Sequence, residues 1–94
     1  MTVLIDDPLW WWRGRRWCHM VSDTSLEELH EFAAAHGVPR RGFQGDHYDI
    51  PEEYREDLVA AGAHAVGSRE LLRRLRSAGL RLSPEQRRRR TAET

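Results

Sequence analysis

The chain reads as an α/β domain of two or three layers, with a short, mainly parallel sheet and about three helices. Three observations carry that reading. Brief apolar runs, TVLI at Thr2–Ile5 and AHAV at 63–66, alternate with longer segments of helical period. Each helical segment has its own start and stop residues. The length of 94 residues leaves room for one core. The expected domain covers residues 1–82, and residues 83–94 are expected to form a disordered, Arg-rich tail.

Taken in order, Thr2–Ile5 is β-branched and too short for a helix, so it is a buried strand closed by Asp6-Asp7-Pro8. The two aspartates fall at its carboxyl end, where open α/β sheets bind ligands, although Asp-Asp-Pro is equally good turn chemistry. Pro8–Arg16 is expected to be a loop. Arg16–Val21 is a second strand, with Trp17, His19 and Val21 on one face and Cys18 and Met20 on the other.

Thr24 or Ser25 can cap the next segment, a helix whose Leu26, Leu29, Phe32 and Ala33 share a face and which Gly37 and Pro39 end. His30 and His36 are expected on its outer parts. Residues 38–49, VPRRGFQGDHYD, are irregular and polar. A second helix starts near Pro51 and runs through Leu58 to Gly62, residues 63–66 form a short strand, and Ser68 caps a third helix with Leu71, Leu72 and Leu75 on one face. Its arginines read as a solvated face.

Charge does not mark the chain as a polyanion binder. It carries 15 basic and 15 acidic side chains, and every basic one is an arginine. Residues 1–83 hold 11 arginines against 13 acids, and residues 84–94 hold 4 against 2, so the positive excess lies in the tail. The single cysteine, Cys18, forms no internal disulfide, and no stretch resembles a membrane span or a secretory leader. A cytosolic protein is expected. Phosphate loops, paired CxxC, HExxH and GxSxG motifs are all missing.

Chemistry is concentrated in two places. Residues 10–23, WWWRGRRWCHMVSD, hold all four tryptophans, the cysteine and three arginines, while residues 38–49 hold Arg40, Arg41, Gln44, Asp46, His47, Tyr48 and Asp49. Interleaved indole and guanidinium groups suit base stacking and phosphate binding, and suit interface hot spots equally. With DDPLWWWRGRRWCHMVSD, GFQGDHYDI and GAHAVGSREL in view, the chain resembles the small bacterial and phage proteins grouped as the domain-of-unknown-function 4031 family, over about residues 1–80. The resemblance implies a free-standing cytosolic protein whose two polar segments belong together.

The expected function is binding of a nucleotide or nucleic-acid phosphate, extending to metal-assisted phosphodiester or phosphoanhydride hydrolysis. His19, His47, Asp49 and Asp7 are the expected acid/base or catalytic groups, and Asp7, Asp23, His47 and Asp49 the expected ligands of a divalent metal. Trp10, Trp12, Arg13, Arg16, Trp17, Arg40, Arg41, Gln44 and Tyr48 are the expected substrate-binding set, with Trp11 and Arg15 beside them. The cofactor is otherwise unspecified. The alternative is a non-catalytic interaction module, a homodimer or a subunit of a larger assembly, that uses the Trp/Arg cluster as its interface.

Overall fold

Arg13 and Gly14 both take positive φ, 52° and 77°. Two such residues in a row make the tight turn whose twist matches paired strands. The turn folds β2 (Trp10–Trp12) onto β3 (Arg15–Ser22), with Trp10 opposite Trp17 and Trp12 opposite Arg15. The expected loop over Pro8–Arg16 is therefore the tip of a long hairpin. Three consecutive tryptophans show no alternation along the sequence, which hid the strand. They alternate in space nonetheless, since Trp12 packs against Trp17 while Trp11 packs against Arg16.

Further along β3, β1 (Val3–Ile5) pairs antiparallel, Ile5 opposite Met20. Between the two paired stretches, residues 6–9 stand against only residues 18 and 19. Asp6 N donates to His19 O at 3.1 Å and Leu9 N to Trp17 O at 2.9 Å, so Asp7 and Pro8 bulge out of the ladder. Pro8 has no N–H to lose there.

The opposite edge of β3 takes β4 (Tyr48–Pro51), again antiparallel, with His19 opposite Asp49 and Cys18 opposite Ile50. A short β5 (His64–Ala65) lies parallel to β1. The α/β class holds, but the sheet is mixed rather than mainly parallel: β1–β5 is the one parallel pairing among the described residues. A two-residue turn cannot make the crossover that parallel strands require. The computed structural model describes residues 2–93, so Met1 and Thr94, the outer ends of the expected domain and tail, lie outside the described residues.

Side-chain alternation gives the sheet two buried faces. Ile5, Cys18, Met20, Tyr48 and Ile50 pack under α1 (Leu26–Ala35) and α2 (Glu52–Ala60) through Leu29, Ala33 and Leu58. Leu4 and Val21, on the other face, pack under α3 (Ser68–Ser77) through Leu71 and Leu75. Ser25 caps α1 as expected, accepting from Glu28 N at 3.0 Å. His30 is not an ordinary surface residue, because its Nδ1 lies 2.7 Å from the hydroxyl of buried Tyr48. Among the described residues no helix is long and apolar enough to cross a membrane.

A fourth helix, α4 (Pro84–Glu93), occupies the segment expected to be disordered. Its start is a reciprocal cap: Gln86 N donates to Ser83 Oγ at 3.1 Å, and Ser83 N to Gln86 Oε1 at 2.9 Å. Ser83-Pro84-Glu85-Gln86 is a capping-box sequence with proline in the first turn, a signal hidden by the arginine run after it. The helix starts against Gly45, where an added Cβ would stand 2.8 Å from the Arg87 Cα. Gly14 and Gly45 both hold positive φ, but nothing lies within 4 Å of a Cβ at Gly14. Gly14→Ala should therefore cost only backbone strain, about 1 kcal/mol. Gly45→Ala should cost roughly 1–2 kcal/mol more by urea unfolding; equal losses would show that α4 does not rest on Gly45.

Candidate functional site

Alternation along three strands brings one row of polar side chains to the part of the sheet that α3 leaves uncovered. Asp6 follows Leu4 on the same face, His19 precedes Val21 on β3, and Asp49 lies opposite His19 on β4. His47, just before β4, completes the row, its ring centroid 5.1 Å from that of His19. One potential ligand atom from each of His19, His47 and Asp49 falls within 4.8 Å of the others. A cavity of about 170 Å³ opens beside them, lined also by Ser68 and Arg81.

Each imidazole is held from behind by a fully buried carboxylate. Asp6 Oδ2 lies 2.8 Å from His19 Nδ1, and Asp6 Oδ1 accepts from the His19 backbone N at 2.6 Å. The same carboxylate accepts from Ser68 Oγ at 3.0 Å, while Arg55 Nε donates to the Asp6 backbone oxygen at 2.8 Å. Asp46 Oδ1 lies 2.6 Å from His47 Nδ1, and its Oδ2 accepts from Leu82 N at 2.9 Å, with Arg81 and Arg87 at 3.6 and 3.8 Å. An ionised carboxylate only accepts, so the proton of each pair sits on Nδ1. Nε2 is left as the atom each imidazole can offer.

His47 is the more constrained of the two, because its Nε2 faces Asp49 Oδ1 at 3.2 Å while Nδ1 faces Asp46. Burial pulls its pKa down, but the hydrogen bonds and charges of Asp46 and Asp49 outweigh burial and leave it raised. Asp46 moves the other way: burial would raise it, and the contacts with His47, Leu82 and Arg81 hold it below the usual carboxylate range. An imidazole between two carboxylates satisfies both only with a second proton or with a cation in that proton's place.

Several expected residues lie elsewhere. Asp7 sits in the bulge with its side chain 67% exposed, 3.5 Å from Arg55, and does not join the row. Asp23 is at the opposite end of the hairpin, where its carboxylate accepts from Thr2 N at 2.9 Å and from Arg74 at 2.6 Å, tying α3 to β3. Tyr48 turns into the core, Arg16 lies over Trp11 on the hairpin's other side, and Arg40 lies over Phe43. None of these three is placed to meet a substrate at the row. Cys18 is buried, with burial and then the charge of Asp6 pushing its thiol up to about 12, which removes it as a nucleophile at neutral pH.

Trp12, Arg13, Trp17, Arg41 and Gln44 do gather, around a groove of about 470 Å³ that Asp49 also lines. The Trp10 ring packs against that of His19, tilted by 35° with ring centroids 4.5 Å apart. Of the expected metal ligands Asp7, Asp23, His47 and Asp49, the first two lie away from the row, and the carboxylates behind the histidines are Asp6 and Asp46. For Asp6 a signal existed, since continuing the strand's alternation from Leu4 reaches Asp6 and not Asp7. Ser68 is a second case. Gly67 occupies the cap position of α3, and Ser68 serves Asp6 instead. Arg81 carried no pattern that would have singled it out.

A family model described as "Protein of unknown function (DUF4031)" matches residues 3–78. The chain belongs to that family. The DUF4031 span includes Asp6, His19, Asp46, His47, Asp49 and Ser68, whereas Arg81, Arg87 and α4 lie beyond it. No curated protein and no solved structure matches the chain.

The pair of carboxylates around His47 sets a pH dependence. A histidine whose folded pKa is raised contributes stability that is full below its unfolded value, near 6.5, and is lost as pH rises through the folded value. Thermal unfolding midpoints should therefore fall as pH climbs from about 6.5 in metal-free buffer, and His47→Asn should flatten that slope. An unchanged slope in the variant would mean that His47 does not titrate as the geometry requires.

Proposed function

We propose that His19, His47 and Asp49 hold a divalent metal ion and that the protein is a small metal-assisted hydrolase of phosphodiester or phosphoanhydride bonds in a nucleotide or nucleic acid. The observation that carries this reading is the double arrangement of a buried carboxylate against imidazole Nδ1, repeated at Asp6–His19 and Asp46–His47, which leaves Nε2 of each ring free of that carboxylate. An outer carboxylate on Nδ1 fixes the tautomer, orients the ring and raises the basicity of the ligating nitrogen. Two such units facing one further carboxylate form a ligand set that binds zinc or a similar transition metal in preference to magnesium, and three protein ligands leave positions for water.

Ligand atoms about 2.1 Å from one ion lie at most about 4.2 Å apart. Closing from within 4.8 Å asks only for small side-chain rotations. A bound ion would supply a water acidic enough to be deprotonated near neutral pH. The protein's own residues do the rest: Asp6 and Asp46 hold the imidazoles in register, and Arg81, lining the same cavity, offers a guanidinium to a phosphate oxygen. A cytosolic setting fits the one cysteine, buried as a thiol.

The interaction-module reading draws on Trp11 and Leu9, 69% and 58% exposed on the hairpin. It requires neither metal binding nor hydrolysis. Calorimetric titration with Zn²⁺ and the visible spectrum of the Co²⁺-loaded protein decide between the two. One ion per chain is expected, Asp6→Asn should weaken binding by roughly 10- to 100-fold, and His19→Ala or His47→Ala should weaken it further and abolish hydrolysis of a bis-aryl phosphodiester. Equal metal binding by wild type and a His19→Ala/His47→Ala double variant would sink the metal centre and leave the interaction module.

A further inference from the structure

We infer that the groove between the hairpin tip and the turn before β4 is a binding site for single-stranded nucleic acid, which it leads to the metal centre. As a substrate site it rests on the hydrolase reading above; as a binding site it stands on its own observations. Along the uncovered sheet face the cross-strand rows run from Asp6, His19 and Asp49 to Trp10 and Trp17, and then to Trp12 and Arg15. The indoles are therefore continuous with the polar row. Trp10 touches the His19 ring, Trp17 packs 5.5 Å from Trp12, and Trp17 Nε1 donates to Trp12 O at 2.8 Å, which holds the indole in place.

The groove's chemistry selects its occupant. Trp12 is 53% exposed and Tyr54 39%, so the walls present aromatic planes to solvent. Arg13 lies 4.5 Å over the Trp12 ring, Arg41 is exposed on the facing turn, and Gln44 adds an amide with both donors and an acceptor. Arg15 is paired with Glu53 at 3.2 Å and contributes less. Flat apolar surfaces alternating with guanidinium groups match a chain of bases on a phosphate backbone, whereas a greasy protein helix would leave the arginines desolvated and unpaired.

Three features favour a single strand over a duplex or a lone nucleotide. An aromatic ring stacks on the open face of a base, which a duplex keeps covered. Positions two apart on a strand, such as Trp10 and Trp12, are about 6.8 Å apart, roughly twice the 3.4 Å rise of a stacked nucleic-acid strand, so successive bases must be spread. The aromatic row and groove together reach from His19 to the hairpin tip, further than one base extends. Asp49 belongs to both the groove wall and the His47 contact, so a strand lying in the groove brings its backbone to the metal centre.

The test is fluorescence polarisation of labelled dT10 and U10 in EDTA at two salt concentrations. Binding needs no metal there, so it is read separately from hydrolysis. Either decamer should bind, more weakly at higher salt, while a 10-base-pair duplex and thymidine monophosphate should bind at least 10-fold more weakly. Trp12→Ala should weaken decamer binding by roughly 5- to 150-fold, Arg41→Glu should weaken it as a second, surface variant, and Trp11→Ala, on the hairpin's other side, should leave it unchanged. Binding of neither decamer, equal binding of duplex or mononucleotide, or equal effects of Trp11→Ala and Trp12→Ala overturns the inference. Hydrolysis of a small phosphodiester without decamer binding overturns it while sparing the metal centre; decamer binding without metal uptake spares the groove and removes the hydrolase.

Discussion

Two carboxylates with no solvent exposure, Asp6 and Asp46, are the constraint on which the rest of the structure depends. Burying an ionised group costs several kcal/mol unless donors replace the lost water, and each of these aspartates recruits donors from distant parts of the chain. Asp6 gathers the backbone and ring of His19 and the hydroxyl of Ser68, so β1, β3 and the start of α3 meet at one residue. Asp46 gathers His47, Leu82 N and the guanidinium groups of Arg81 and Arg87, which ties β4 to the segment leading into α4. Among the described residues no buried side-chain polar atom is left without a partner. A fold of this size has few apolar residues to spare, and these two networks fix how its elements meet.

The bulge at Asp7–Pro8 serves the same end. A regular ladder from β1 into β2 would keep every residue in register, whereas two extra residues in the bulge let Asp6 stay bonded to His19 while β2 continues on a shifted register. The hairpin then places Trp10 and Trp17 in the next row, beside the imidazole. Four tryptophans in so short a stretch thus divide by face: Trp10, Trp12 and Trp17 toward the polar row and groove, Trp11 toward Arg16 and solvent.

What was legible in the sequence was what local periodicity reports. The strand at Val3–Ile5, the opposite facing of Cys18 and His19 and the apolar face of α3 follow from run length and from spacing of 2 or 3.6 residues, and the cap at Ser25 from its place before the first helical turn. The approach of His19 to His47 was foreseeable from two polar segments flanking strands. Their carboxylate partners were only partly so: alternation from Leu4 points to Asp6, whereas the hydrogen bond that Leu82 N donates to Asp46 forms only in the tertiary fold. Sheet direction was misjudged because a turn made by Arg13-Gly14 lacks the usual Asn-Gly signal, so the hairpin passed for a loop. The Tyr48 side chain, polar by composition, went to the core because its strand position pairs it with Met20.

The central claim is that each histidine is locked with its proton on Nδ1, leaving Nε2 directed at a shared point with Asp49. Long-range ¹H–¹⁵N correlation spectra of the histidine side chains, recorded in metal-free buffer across pH, report the tautomer of each ring. The account predicts that His19 and His47, once neutral, both keep the proton on Nδ1, and that added Zn²⁺ shifts the two Nε2 signals and not those of His30, His36 or His64. A neutral His47 or His19 protonated on Nε2, or Zn²⁺ shifts spread equally over the five histidines, would contradict it.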